Sequence, residues 1–293
     1  MIMPKYPIFI PSRGRYESGF TMKFLKQEGV PFILVVEPQE KDIYEKLYGG
    51  AGVEVLTLPE NDRGLIYARN WIKQYSTKRG DARHWQIDDN IRGVQRLYKG
   101  KRLPCDSGPA FRCIEDFSDR YENVGLSGMN YVMFGVGVMP PFYLNVHVYS
   151  CTLVNNEIPY SFRQPANEDV DMCLQVLSSG KWCTVLFNTF LAHKMRTMTI
   201  SGGQCLKAYT GDGRLYMARQ LQRKWPGIVT TGRRFKRPQH IVRDSWRKFD
   251  TPLKLKPGVV IPTTPNEYGL QLQAVKEVKS DVLKQFIGKD SGQ

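Results

Sequence analysis

The sequence predicts an α/β fold built on a mainly parallel sheet, and three observations carry the prediction. Between residues 6 and 89, short β-branched or aromatic runs alternate with stretches of helical spacing. The helical stretches stop on glycines, where the chain can leave the helix without steric cost. At least one strand run is apolar at consecutive positions, which marks a strand covered on both faces, as in parallel sheets.

The elements follow in order. YPIFIP is a short apolar strand. ESGFTMKFLKQEG places Phe20, Phe24 and Leu25 at helical spacing and ends on Gly29. PFILVVE is the continuous β-branched run. KDIYEKLYGGAG is a second short helix and VEVLTLP a third strand. GLIYARNWIKQYSTKRG is a third helix, with Leu65, Ala68, Trp71 and Ile72 on one side. HWQIDD is a fourth strand, completing β-α-β-α-β-α-β. After Gly100 the pattern loosens. AFRCIEDFSDRYENVG reads as a helix, VGLSGMNYVMFG and FYLNVHVYSCTLVNN as strands, NEDVDMCLQVLSSGK as a helix with an acidic first turn, and WCTVLFNTFLAHKM as a strand. Beyond residue 200, GRLYMARQLQRKW and LQLQAVKEVKSDVLKQF read as helices.

Size and charge narrow the function. A chain of 293 residues with 41% hydrophobic side chains can bury a sizeable core, so wholesale disorder is excluded. No run of 18 apolar residues occurs, and the N-terminal stretch lacks a signal-peptide pattern, so a cytoplasmic protein without a membrane span is expected. The six cysteines show no metal-knuckle spacing and read as reduced packing residues. Net charge is +14 and unevenly spread. Residues 1–200 hold 24 Lys and Arg against 21 Asp and Glu, whereas residues 201–293 hold 18 against 7. A near-neutral body with a basic C-terminal third points to a polyanionic partner on that third. The division expected is therefore 1–200 and 201–293.

Four motifs carry chemistry. PSRGR follows the first strand, where a glycine lets backbone amides approach a ligand and arginines suit a diphosphate or a uracil edge; an ordinary charged turn reads the same way. IDDN ends the fourth strand and offers hard oxygen ligands for Mg²⁺ or Mn²⁺, though such a sequence also makes turns. NEDVDMC sets Glu168 and Asp169 at a helix start, where a carboxylate serves either as general base or as partner of the helix dipole. His193 ends an apolar strand. In open α/β sheets ligands collect beyond the carboxyl ends of the strands, where PSRGR, Glu37 and IDDN all fall.

Taken in order, nucleotide loop, acidic strand end, acidic helix and late histidine resemble a GT-A type nucleotide-sugar glycosyltransferase over roughly residues 5–200. The set PSRGRY, NDRGLIYARNWI, QIDDNI and NEDVDMCLQ resembles, more narrowly, the TET-associated glycosyltransferases of phages. The resemblance implies a Rossmann-like sheet flanked by helices with a basic C-terminal extension. It implies a UDP-sugar donor, Mn²⁺ or Mg²⁺, and double-stranded DNA carrying 5-hydroxymethylcytosine as acceptor.

Residue by residue, the resemblance implies that Pro11, Ser12, Arg13 and Glu37 hold the uracil end, with Arg15 in the same loop. Arg63 and Arg69 would sit near ribose or diphosphate, and Asp88 and Asp89 at the acidic motif. Asn90 and His193 would hold the metal with Asp88, Asp89 being the alternative ligand. Asp169 would be the base of an inverting displacement, with Glu168 as the alternative. Arg233, Arg234, Lys236, Arg237, Arg243, Arg247 and Lys248 would follow DNA phosphates, while Phe235 and Trp246 are expected to pack. Three rivals stay open: the same fold with a protein, glycan or small-molecule acceptor; a nucleotidyltransferase; and a DNA-binding module without activity.

Overall fold

A computed structural model describes residues 2–163, 167–195, 200–203, 211–234, 236–261, 263–265 and 269. Its first half is the expected alternation. Strands β1 (Ile8–Pro11), β2 (Phe32–Val36), β3 (Val53–Thr57) and β4 (Arg83–Ile87) are linked by helices α1 (Phe20–Gln27), α2 (Lys41–Tyr48) and α3 (Leu65–Lys78). They lie in the order β3-β2-β1-β4, all parallel. β1, β2 and β4 are buried at every position; the unbroken apolar runs of β1 and β2 require this, whereas β4 also buries Arg83, His84 and Gln86.

The second half extends the sheet with mixed pairing. β5 (Ile91–Tyr98) and β6 (Lys101–Pro104) form a hairpin, followed by α4 (Ser107–Asp119), β7 (Val124–Tyr131), β8 (Phe142–Leu144), β9 (Cys151–Asn155), α5 (Glu168–Ser178) and β10 (Cys183–Lys194). The full order is β3-β2-β1-β4-β9-β7-β10-β5-β6, with β8 also paired to β10. β9 runs antiparallel between β4 and β7, and β10 runs parallel to β7. The hairpin is a part of the fold that the apolar pattern did not announce, because every residue of β6 is exposed. Its turn is Lys99–Gly100, both at positive φ, which the twist of a two-residue hairpin demands. FYLNVHVYSCTLVNN is two strands, not one: Asn145 and Ser150 take positive φ and break it.

The sheet carries a core on each face. One face packs α1, α2 and α4 around Trp85, Phe111, Leu25 and Tyr44. The other packs α3 against Phe9, Ile33 and Val35, and α5 against Leu126 and Val154. Beyond β10, α6 (Gly213–Lys224) lies on a hairpin of β11 (Val229–Arg234) and β12 (Arg237–Val242). Leu221, Val229 and Trp246 close over Val170, Leu174 and Leu177 of α5. Trp246 is thus a packing residue, as expected. Phe235, Cys205 and the C-terminal helix expected at residues 270–286 lie outside the described residues. Cys151, Cys173 and Cys183 are buried free thiols. Among the described residues no helix is long and apolar enough to cross a membrane.

Candidate active site

A cleft of about 200 Å³ opens beyond the carboxyl ends of β1, β2 and β4, closed on its far side by the N-termini of α3 and α5. Its walls begin with the 11–15 loop. Ser12 Oγ donates to Asp89 Oδ2 at 2.9 Å, and the buried Arg15 guanidinium grips Asp89 Oδ1 at 2.5 Å. The Tyr44 hydroxyl accepts from the Arg15 amide at 3.1 Å and sits 2.8 Å from Ser12 Oγ. This buried network staples the loop to the strand end. It engages both oxygens of Asp89.

The acidic junction between β4 and β5 is held by its backbone. The Asp88 amide donates to the Ser150 carbonyl at 2.7 Å and the Met195 amide to the Asn90 carbonyl at 2.9 Å. Thr21 adds three bonds: its hydroxyl donates to the Asp88 carbonyl and accepts from the Ile91 amide, and its own amide donates to the Asp89 carbonyl. The turn therefore sends neighbouring carboxylates to opposite walls, Asp89 to the 11–15 loop and Asp88 toward α3 and β10.

The cleft has two chemically distinct ends. One is an apolar slot walled by Pro11, Val35, Leu58, Leu65 and Ala68. At its rim Arg13 Nε lies 3.2 Å from the buried Glu37 carboxylate, and a second nitrogen of the same guanidinium pairs with Asp62. The other end is ionic. Arg69, on the inner face of α3, donates to Asp88 Oδ1 at 2.8 Å and to Gln86 Oε1 at 3.3 Å, and lies 3.5 Å from Glu168 Oε1. Lys194 Nζ sits 3.0 Å from Asp88 Oδ2, donates to Ser150 Oγ and stands 5.4 Å from the Tyr131 ring centre. Asp169 accepts the Val170 amide at 2.8 Å through Oδ1.

Charge and burial set the protonation states. Burial alone would push the Asp88 carboxyl up, but Lys194 and Arg69 outweigh it and hold it well below the usual carboxylate range. Burial opposes the Lys194 charge, yet the Asp88 carboxylate and the Tyr131 hydroxyl keep its pKa above the ordinary lysine value. Glu168 and Asp169 go the other way. Burial raises both above the usual carboxylate range, with mutual repulsion adding to it for Glu168. Asp171, the third acid of α5, is fully buried against Arg163 at 2.6 Å and the Trp225 indole at 2.8 Å, and serves the fold.

Of the residues singled out in the sequence, Pro11, Ser12, Arg13, Arg15, Glu37, Arg69, Asp88, Asp89, Asn90, Glu168 and Asp169 line this one cleft. Two do not. Arg63 precedes α3, pairs with Glu60 at 2.6 Å and is exposed. His193 faces Arg92 and Arg102, whose charges together with burial lower its pKa. The register of β10 against β5 shifts between Ala192 and Lys194, and this irregularity sends Lys194, rather than His193, into the cleft. The donor set expected for a divalent cation (Asp88, Asn90 and His193) is therefore not assembled. Asp88 has a cation on each oxygen, and no group of three His, Cys, Asp or Glu suited to a metal occurs among the described residues. The site does not fit the cation.

Ser150, Lys194 and Tyr149 were not legible as functional. Ser150, Lys194 and Tyr131 form one cluster beside Asp88, the Tyr131 hydroxyl donating to Ser150 Oγ at 2.8 Å. Tyr149, next in sequence to Ser150, packs between the Tyr131 and His147 rings. Burial pushes its hydroxyl up, the Asp169 carboxylate adds to this, and Arg234 acts the other way. Arg233, Arg234, Lys236 and Arg237 are exposed at the hairpin tip, as are Arg243 and Lys248 nearby, while Arg247 is half-buried and faces Asp250 at 3.8 Å.

Gly202 and Gly203 close the rim over the 11–15 loop, and the Ser201 carbonyl accepts from Ser18 Oγ at 3.0 Å. Gly202 has φ +79°, and a Cβ there would stand 1.7 Å from the Gly14 carbonyl oxygen. Gly202→Ala combines this clash with left-handed strain of about 1–2 kcal/mol, so it is expected to unseat the rim. Nucleotide affinity measured by calorimetry should fall by about tenfold while the unfolding midpoint of the core stays unchanged, because the rim glycines meet the 11–15 loop.

The chain is similar to known proteins in three comparisons. A family model described as TET-Associated Glycosyltransferase matches residues 6–203, from β1 to the glycine pair on the rim. The chain is 26% identical over 239 residues to the GREB1-like protein of Mus musculus, an alignment spanning 68% of this chain and 12% of that protein. A solved structure described as a nucleotide-diphospho-sugar transferase from Desulfovibrio desulfuricans G20 is similar with a TM-score of 0.38 and 10% identity, covering 63% of this chain and 80% of that one.

Proposed function

The chain belongs to the TET-associated glycosyltransferase family, and from that premise we propose that it transfers a sugar from a UDP-sugar to the hydroxymethyl group of 5-hydroxymethylcytosine in DNA. The observation that carries the reading is the two-ended cleft, an apolar slot that leads to a cationic end beside carboxylates of raised pKa. Uracil lies between Pro11, Val35, Leu58 and Ala68, with Glu37 and Arg13 at its polar edge. The diphosphate lies toward Arg69 and Lys194.

Asp169 is the general base. Its raised pKa brings it toward working pH, where a base is most effective. Glu168 is tied to Arg69 and orients it. Asp169 takes the hydroxymethyl proton as that oxygen attacks the anomeric carbon, and the bond from the anomeric carbon to the diphosphate breaks on the opposite face. The product sugar is inverted. No step is assigned to a divalent cation, because the donor set for one is not assembled.

DNA approaches over the β11–β12 hairpin. The hairpin presents Arg233, Arg234, Lys236 and Arg237 exposed, the cations that a phosphate backbone would meet. Residues 201–293 then serve as the acceptor-binding part and residues 1–200 as the donor-binding part. A cytosine carried into the cleft is flipped from the stack, at a cost of a few kcal/mol. Replacing Arg233, Arg234, Lys236 and Arg237 together by Ala should lower the slope of log affinity against log salt by about 3–4, since each lost phosphate contact removes about 0.9. Fluorescence anisotropy on duplex DNA across a salt series reads it, and an unchanged slope would place DNA elsewhere. The transfer itself is tested by UDP release from a panel of UDP-sugars with hydroxymethylcytosine DNA against plain cytosine DNA. Release that ignores the DNA would redirect the acceptor to a protein, glycan or small molecule.

A further inference from the structure

We infer that the donor's diphosphate is bound and neutralised by two side-chain cations, Lys194 and Arg69, in place of a divalent metal ion, and that transfer proceeds without one. The inference rests on the proposed UDP-sugar donor and adds to it the chemistry of leaving-group stabilisation.

Of the five carboxylates that line the cleft, four already face a fixed cation, and the fifth, Asp169, accepts the Val170 amide. Asp88 accepts Arg69 Nη2 on Oδ1 at 2.8 Å and Lys194 Nζ on Oδ2 at 3.0 Å. Asp89 accepts Arg15 on one oxygen and Ser12 on the other. Glu168 faces Arg69. A divalent ion of small radius needs oxygen ligands in near-octahedral array, and here Asp88, Asp89 and Glu168 would each first have to shed a fixed cation. The strand that could bring a histidine to the site delivers Lys194 instead, because the register of β10 shifts between Ala192 and Lys194.

The two cations are suited to the role they inherit. The Lys194 ammonium is a compact point charge with three donors, one each directed to Asp88 and Ser150 and a long contact of 3.5 Å to the Tyr131 hydroxyl. That weakest contact is the one a phosphate oxygen replaces. Arg69 supplies a planar guanidinium fixed by Asp88, Gln86 and Glu168, so it is held before the donor arrives. When the acceptor oxygen bonds to the anomeric carbon and the carbon–oxygen bond to UDP breaks, the electron pair goes to the β-phosphate oxygen and the acceptor proton to Asp169. The negative charge gained by UDP develops beside Lys194 and Arg69. Preorganised charge of this kind is the largest single contribution in many enzymes.

The test is UDP affinity of the full chain by calorimetry, in EDTA and in Mn²⁺, for the native protein, Lys194→Met and Lys194→Arg, with uridine as a phosphate-free control. Transfer is measured in the same buffers. The inference expects UDP affinity and turnover in EDTA within about twofold of those in Mn²⁺. It expects Lys194→Met to lose tenfold or more in UDP affinity with uridine unchanged, and Lys194→Arg to recover most of the loss. UDP binding or turnover that collapses in EDTA and returns with Mn²⁺ would overturn the metal-free assignment and leave the donor reading standing. Lys194→Met binding UDP like the native protein would overturn the role of Lys194. No UDP binding in either buffer would overturn the donor reading itself. If Lys194→Met does not fold, the EDTA comparison and Lys194→Arg still decide.

Discussion

Asp169→Asn is expected to lower turnover by about 10²–10⁴-fold while leaving UDP affinity within about twofold of native. The amide keeps the shape and the bond that the Val170 amide donates to Oδ1, so α5 has no reason to move. What it removes is the proton acceptor. The raised pKa of Asp169 gives two further signatures. Activity should fall as pH drops through that raised pKa, because the carboxyl must be ionised to act. Stability should move in the opposite sense. A carboxyl whose folded pKa exceeds its unfolded value of about 3.9 favours folding fully below that value and loses the advantage as pH rises through the folded pKa. At pH 7–8 Asp169→Asn should therefore melt higher than native, by about 2–4 °C for each kcal/mol of relieved strain, and the difference should vanish below about pH 4. Equal or lower stability at neutral pH would mean that Asp169 is not held against its preference for the neutral form.

Arg69→Ala carries the largest structural effect. Arg69 is almost fully buried and bridges Asp88, Gln86 and Glu168. Its removal leaves Asp88 with Lys194 alone and leaves Glu168 facing Asp169 with no cation between. Breaking a buried pair by deleting one partner costs about 3–5 kcal/mol, a large share of the 5–15 kcal/mol that typically holds a protein folded. Urea unfolding should register this as a lower midpoint, and UDP binding should fall below detection. Arg69→Lys should recover part of the stability and little of the UDP binding, since an ammonium cannot reach all three partners at once. A stability change under about 1 kcal/mol for Arg69→Ala would mean that the ionic end is solvated and loosely organised.

The parallel half of the fold was legible because β1 and β2 are buried on both faces and write that directly as unbroken apolar runs, Phe32–Val36 above all, in alternation with stretches of helical spacing. The hairpin β5–β6 was not, since its outer strand is exposed throughout, charged at Lys101 and Arg102 and ended by Pro104, and looks like loop. The cleft was legible to the extent that sheet topology brings the ends of β1, β2 and β4 together, which collects Pro11, Glu37 and Asp88 whatever the details. His193 shows where such reasoning stops. Residues 193 and 194 differ by one step along β10, and which of them enters the cleft depends on a register shift against β5 that leaves no composition signal. Arg63 fails for a similar reason. The helix begins two residues later, after Gly64 at φ +83°, and the side chain turns out toward Glu60. Ser150 contributes through an unusual backbone, at φ +46°, which no serine announces.

The central claim is that one cleft joins a UDP-sugar to a hydroxymethylated base in DNA. Its most direct measurement is the mass of nucleosides digested from DNA after incubation with the protein and a panel of UDP-sugars. The account predicts a hexose or N-acetylhexosamine added to 5-hydroxymethylcytosine alone, absent with Asp169→Asn and absent on plain cytosine. UDP released with every nucleoside mass unchanged would contradict it.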